Sequence, residues 1–340
     1  MRLRQSISQK SGEAAITVRI AQFVHPRNDV IDAAFLRDFP GIEVIKAADL
    51  DGLATALDGA AALITTNSAF TPEFAGTLRG NAGRLKWIQF TTVGIDIADA
   101  AGLPPGLWLT NTGDVMQATL ATHAIALMLA VQRGLHRFES ARARHHWDRD
   151  GLAKYLTVPE GGTMVILGMG RIGQDVARKA KAFGMNVICV TRASAPANDA
   201  IDRVVARERV DEVLPGADVV MVAMPIDDDT RGFLSSARIA LMKPGAIVVN
   251  ISRGLVVDEA ALAEALGAGR LGGAGLDAFG EEPLPADSPF WGLDNVVMTP
   301  HVGGQAGDHN RRKLAEVIHE NMGRFLDGKP LLNIVRAPNA

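Results

Sequence analysis

Apolar residues in the first third of the chain fall in short runs separated by stretches of helical periodicity. Val18 to Val24, Val44–Ile45, Ala61 to Thr66, Leu85 to Phe90 and Leu107 to Asn111 read as strands. Ala47 to Leu57 and Thr71 to Leu78 read as helices between them. Such alternation predicts an α/β unit whose parallel strands are joined by crossovers. From Met116 to Arg137 the chain is apolar and alanine-rich, which predicts one long, mostly buried helix. A second alternating stretch runs from near Thr163 to about Gly304, and Arg311 to Leu326 is patterned as an amphipathic helix. If that last helix returns to the first unit, the boundaries are 1–115 completed by 305–340, and 116–304.

Composition narrows the class. The 340 residues include 35 glycines, few aromatics and almost half apolar residues, as an α/β protein with many tight turns requires. A net charge of −3 offers no general field for nucleic acid, so none is expected as a partner. The single cysteine, Cys189, excludes an intramolecular disulfide and a thiolate metal cluster, and its apolar neighbours make it a core residue. His145 and His146 point about 100° apart on a helix with no acidic ligands framing them, so no metal is expected. No apolar run reaches bilayer-spanning length, and basic Met1 to Lys10 lacks the apolar run of a signal peptide. A disordered tail on a cytoplasmic protein is the expectation.

The sharpest local signal lies at Met164 to Ala177. An apolar run enters Gly168-Met169-Gly170-Arg171-Ile172-Gly173, and a helical pattern begins inside it. In such a turn Gly168 permits the bend, Gly170 lets a pyrophosphate approach the backbone, and Gly173 packs helix on strand. The amides of the helix N-terminus then face the phosphates. A second strand, Asn186 to Thr191, follows at the spacing a dinucleotide site needs. It ends in Thr191-Arg192-Ala193-Ser194, without the acid that would accept from an NAD ribose. Arg192 can instead pair with a 2′-phosphate, and Thr191 and Ser194 can donate to it, so NADP is the expected cofactor. Were Arg192 to stack on adenine, NAD would serve as well.

Three polar residues follow apolar runs further on. They are Arg253 after Ile247 to Ile251, Glu282 after Gly275 to Phe279, and His301 after Val296 to Pro300. At the C-terminal ends of parallel strands all three would face the ligand crevice. A guanidinium matches a keto acid's carboxylate, and histidine can exchange a proton near neutral pH. A carboxylate on the far ring nitrogen would orient that histidine and favour its charged form.

Taken with Met242 to Gly245, Asn250 to Gly254, Leu276 to Leu284 and Thr299 to Gly304, the glycine turn resembles the D-isomer-specific 2-hydroxyacid dehydrogenase family over nearly the whole chain. The resemblance implies two Rossmann-like domains with parallel sheets and the active site in the cleft between them. It implies Arg253 as substrate-binding residue, His301 as acid–base, and Glu282, rather than Glu281, as the histidine's partner. Val93 and Gly94 resemble the loop whose amides hold the substrate carboxylate. Met224 and Pro225 match the segment over the adenosine, and Asp277 the residue at the nicotinamide carboxamide. A homodimer through the cofactor domain is implied too. Thr122 stands where many members carry glutamate, and Thr92-Val93-Gly94 replaces a more usual alanine–glycine pair.

The expected activity is NADPH-dependent reduction of a small 2-keto acid, of glyoxylate or hydroxypyruvate type, to the D-2-hydroxy acid. The alternatives are an NAD-linked dehydrogenase of a larger D-2-hydroxy acid and a non-catalytic, dinucleotide-sensing protein resembling the corepressors of this superfamily.

Overall fold

The computed structural model describes residues 18–23, 29, 31–192 and 196–338, so the basic N-terminal stretch and Ser194 lie outside the described residues. Five strands open the chain: β1 (Val18–Phe23), β2 (Ile42–Ala47), β3 (Ala62–Thr65), β4 (Trp87–Phe90) and β5 (Trp108–Thr110). Seven follow: β6 (Thr163–Leu167), β7 (Asn186–Thr191), β8 (Arg203–Ala206), β9 (Val219–Val222), β10 (Ile247–Asn250), β11 (Gly273–Leu276) and β12 (Val296–Met298). Near the C-terminus comes β13 (Ile334–Arg336). Two compact units result, one of residues 1–116 with 306–340, the other of 117–305. The chain is thus mixed α/β, with two Rossmann-like units on parallel sheets.

In the first unit the sheet order is β2-β1-β3-β4-β5-β13, parallel except where β13 pairs antiparallel with β5 at the edge. Its central strands β3 and β4 are buried at every position because both faces of the sheet are covered. Successive residues enter opposite cores: Ala21, Leu63 and Ile88 join Leu53, Phe74 and Leu78 on one face. Ile20, Ile64 and Trp87 join Leu314, Ile318, Met322 and Phe325 on the other. Those last four lie on the helix Asp308–Asp327, so the C-terminal helix completes the core of the first unit.

In the second unit the order is β8-β7-β6-β9-β10-β11-β12, parallel throughout. The order reverses direction between β6 and β9, which is the switch point where ligands bind in open sheets. Cys189 is buried among Ile166, Val187 and Met221, and burial pushes its thiol up to about 12.

One expected helix is two. Gln117–Gln132 ends before Gly134, whose left-handed φ of 60° breaks the helical path, and Leu135–Ala143 continues after a 63° bend. The first of these helices lies on β11, whose sequence Gly-Ala-Gly-Leu is thereby explained. A Cβ on Gly273 would sit 2.6 Å from Val131 Cγ1, and one on Gly275 would sit 2.8 Å from Leu127 Cβ. Among the described residues no single helix is long and apolar enough to cross a membrane.

Ile318 is fully buried between the C-terminal helix and the first unit's sheet. Ile318→Ala is expected to destabilise that unit by about 2–5 kcal/mol, through lost burial and a residual cavity. Urea titration checks this as a lower midpoint for the transition carrying the Trp87 fluorescence change.

Candidate active site

Every residue singled out in the second half of the chain, Ser194 aside, belongs to the second unit. Parallel pairing brings the C-terminal ends of its strands to one edge. There Gly168 follows β6, Arg192 follows β7, Met224 and Pro225 follow β9, Arg253 follows β10, Asp277 and Glu282 follow β11, and His301 follows β12.

The three glycines after β6 do separate work. Gly168 has φ 116°, and a Cβ on it would lie 2.7 Å from Ala223 O, so the turn is pressed against the end of β9. A Cβ on Gly173 would overlap Gly168 O, which is how the helix Arg171–Ala182 comes so close to β6. Nothing lies near the Cβ position of Gly170, so its surface is open to a ligand. That residue begins the helix without any side-chain cap, which leaves first-turn amides to be satisfied from outside. An open backbone at an uncapped helix start fits a dinucleotide pyrophosphate. Met169, Arg171 and Ile172 complete the turn.

Beyond β12 the chain turns sharply. His301 adopts the left-handed φ of 51°, uncommon for a residue with a side chain, and its N–H donates to Thr299 O. The ring nitrogen Nδ1 faces Glu282, at 3.0 Å from Oε1 and 2.8 Å from Oε2. Glu282 is itself fixed, since Phe279 N–H donates to Oε1 at 2.9 Å. Burial opposes its ionisation, but the hydrogen bonds from His301 and Phe279 and the charges of His301 and Arg253 outweigh that and lower its pKa. With side chains 42% and 38% exposed, the His301–Glu282 pair contributes about 0–1 kcal/mol to stability; its effect is on ring orientation.

Arg253 is held from its backbone. Asn250 Nδ2 donates to Arg253 O, and Arg253 Nη1 donates to Ser252 O at 2.9 Å. A Cβ on the next residue, Gly254, would collide with the Phe279–Gly280 backbone. Only glycine lets the Arg253 loop pack flush against the loop that carries Glu282.

Asp277 is buried, with 1% exposure, and its carboxylate is taken up internally. Oδ1 accepts from Thr299 Oγ1 (2.6 Å) and Val302 N–H (2.9 Å), and Oδ2 from Gly303 N–H (2.8 Å). His123 Nε2, on the helix Gln117–Gln132, lies 3.4 Å from Oδ1 and 2.9 Å from Thr299 Oγ1. Burial alone would raise its pKa; His123, Thr299 and the two amides together hold it below the ordinary carboxylate value. His123 is a site-positioning residue that sequence reasoning missed. Its neighbour Thr122 turns its hydroxyl back to Ala118 O in its own helix.

Two further partners were invisible in the sequence. Asp227, beyond β9, lies 3.6 Å from Arg192 Nη1, so the acid missing after β7 arrives from another strand. In the first unit Thr92 shapes the loop after β4. Its hydroxyl donates to Gly94 O (2.9 Å), while Asn111 Nδ2 donates to Val93 O (2.7 Å). Because a trans peptide sets C=O and N–H on opposite sides, Gly94 N–H is turned away from Asn111.

Comparisons with known proteins bear on the family and the fold. Residues 125–303 match the family model of the D-isomer specific 2-hydroxyacid dehydrogenase NAD-binding domain. The chain belongs to this family. The glyoxylate reductase of Pyrococcus furiosus is 40% identical over 256 residues, covering 73% of this chain and 75% of its own length. The D-3-phosphoglycerate dehydrogenase of Methanocaldococcus jannaschii is 35% identical over 76% of this chain, but only 49% of its own. A D-isomer specific 2-hydroxyacid dehydrogenase from Xanthobacter autotrophicus Py2, solved with NADPH and MES, aligns with a TM-score of 0.77 at 27% identity. That alignment covers 95% of this chain and 99% of the other. This dehydrogenase is an oxidoreductase with an NAD(P)-binding unit.

Because the folded dehydrogenase lowers the pKa of Asp277, its ionised form contributes stability above the unfolded carboxyl's value. That contribution is lost as pH falls through the depressed folded value. Asp277→Asn should cost about 2–3 kcal/mol at neutral pH by placing an amide against two N–H donors. It should also flatten the acid limb of the stability curve, as thermal melts from pH 7 down to pH 3 would show.

Proposed function

We propose that this dehydrogenase reduces a small 2-keto acid of glyoxylate or hydroxypyruvate type to the D-2-hydroxy acid, with NADPH as reductant. The observation that carries the reading is the seating of His301. With Nδ1 against both oxygens of Glu282, the ring has only Nε2 to offer a substrate. A bound NADPH would supply the hydride that the keto carbon needs. His301 donates the Nε2 proton to the keto oxygen, which completes the hydroxyl, and Glu282 stabilises the imidazolium before transfer. Arg253 pairs with the substrate carboxylate and polarises the carbonyl. Val93 and Gly94 offer backbone amides to a carboxylate, supported by the occupied carbonyls of that loop. Asp277 positions the His301 loop from below, and contact with the nicotinamide carboxamide is assigned to the same strand end.

For the cofactor, Gly168 to Gly173 hold the pyrophosphate, Met224 and Pro225 flank the adenosine, and Thr191 and Arg192 receive the 2′-phosphate. Support for a homodimer through the cofactor domain comes from apolar side chains beyond the helix break. Leu135, Phe138, Tyr155 and Val158 are exposed, and Trp147 is 91% exposed.

His301→Gln is expected to lower kcat by roughly 10²-fold or more while NADPH affinity stays within a few-fold. Unchanged turnover would reject the assignment. A panel of keto acids assayed with NADPH and NADH at matched concentrations should give the highest kcat/KM for two- and three-carbon substrates with NADPH; a preference for bulky side chains with NADH would favour the larger-substrate reading. Light scattering after size exclusion should return the mass of two chains, and Trp147→Asp should return one.

A further inference from the structure

Both ends of the Arg192–Asp227 ion pair come from strands that flank β6: β7 pairs with one side of it and β9 with the other. Strands about 4.8 Å apart put the ends of β7 and β9 about 10 Å from each other. Arg192 and Asp227 close that gap across the end of β6, beside the Gly168 turn, with 3.6 Å between Nη1 and Oδ2.

Asp227 is rigidly mounted. Its backbone N–H donates to Thr230 Oγ1 at 2.6 Å, and the same hydroxyl lies 2.9 Å from Oδ1. Thr230 is fully buried and also within 2.8 Å of Pro225 O, so Oδ1 is docked inward while Oδ2 is turned to Arg192. Charge is balanced around it. Arg207, just past β8, acts electrostatically on Asp227 and also lies 3.8 Å from Asp229. Two guanidiniums therefore meet two carboxylates. Burial opposes ionisation of Asp227, yet Thr230 and the two arginines outweigh it and keep the carboxyl below its ordinary value.

We propose that Asp227 sets the choice between NADP and NAD, by competing with the 2′-phosphate for Arg192. The inference rests on the dinucleotide reading above. A 2′-phosphate carries nearly two negative charges, and it must take Arg192 from a fixed carboxylate at close range. The ribose diol of NAD adds no charge and leaves the Arg192–Asp227 pair intact. Asp227 thus holds the NADP preference of Arg192 in check from beyond the end of β9.

The test is equilibrium binding to the full-length protein, measured by calorimetry with NADP⁺, NAD⁺, 2′-AMP and 5′-AMP. Asp227→Asn should tighten NADP⁺ and 2′-AMP about tenfold and leave NAD⁺ and 5′-AMP within about threefold. Asp227→Thr, which keeps a short acceptor near Thr230, should act in the same direction. Adding Arg192→Ala to Asp227→Asn should erase the gain. Asp229→Asn, beside Arg207 instead, should leave the NADP⁺/NAD⁺ ratio within about twofold. An unchanged ratio in both Asp227 variants, or an equal shift from Asp229→Asn, would overturn the proposal. A wild-type chain that bound none of the four nucleotides would overturn the dinucleotide reading itself, a result readily told apart from an unchanged ratio.

Discussion

Buried between two strand ends, the Asp277 carboxylate has to be satisfied from inside the protein, and the way this happens orders the His301 loop. An unpaired buried charge is expensive, so each of its partners is constrained in turn. Thr299, Val302 and Gly303 bracket His301 and all donate to Asp277. His301 is thereby left on a short arc with both sides tied down, and its positive φ is tolerated because the surroundings over-determine it. A Cβ on Gly303 would lie 2.6 Å from Asp277 Oδ2, so the carboxylate also dictates the glycine there. Helix Gln117–Gln132 enters the same network through His123.

Close backbone approach is the second constraint, and it recurs wherever the site is assembled. Gly173 against Gly168, Gly254 against Phe279 and Gly280, and Gly273 and Gly275 against the helix above them all occupy space a side chain would need. The large glycine content is spent on such contacts as much as on turns. They set the spacing at which Arg253 and Glu282 share one electrostatic environment, and at which the β6 turn meets the end of β9.

Around the ends of β7 and β9 the balance is electrostatic and not steric. Arg192 and Arg207 lie among Asp227 and Asp229, so a phosphate approaching Arg192 would enter a neutral cluster. Affinity for a charged ligand there depends on differences between pairings, more than on one arginine.

By itself the sequence determined the alternation of strands and helices, the two α/β units and the glycine turn. Each of these follows from residues a few positions apart, through side-chain periodicity or the conformational freedom of glycine. The family motifs were equally local, since Arg253, Glu282 and His301 each sit in a short recognisable string. The break at Gly134 escaped because Leu135 to Ala143 continues a helical pattern, and one left-handed residue changes direction without changing composition. Only the tertiary structure decided which distant side chains meet. Asp227 reaches Arg192 because β9 and β7 flank β6, and His123 reaches Asp277 because its helix lies on β11. Strand order and helix placement are set by the packing of whole layers, which no local pattern of apolar and polar residues encodes.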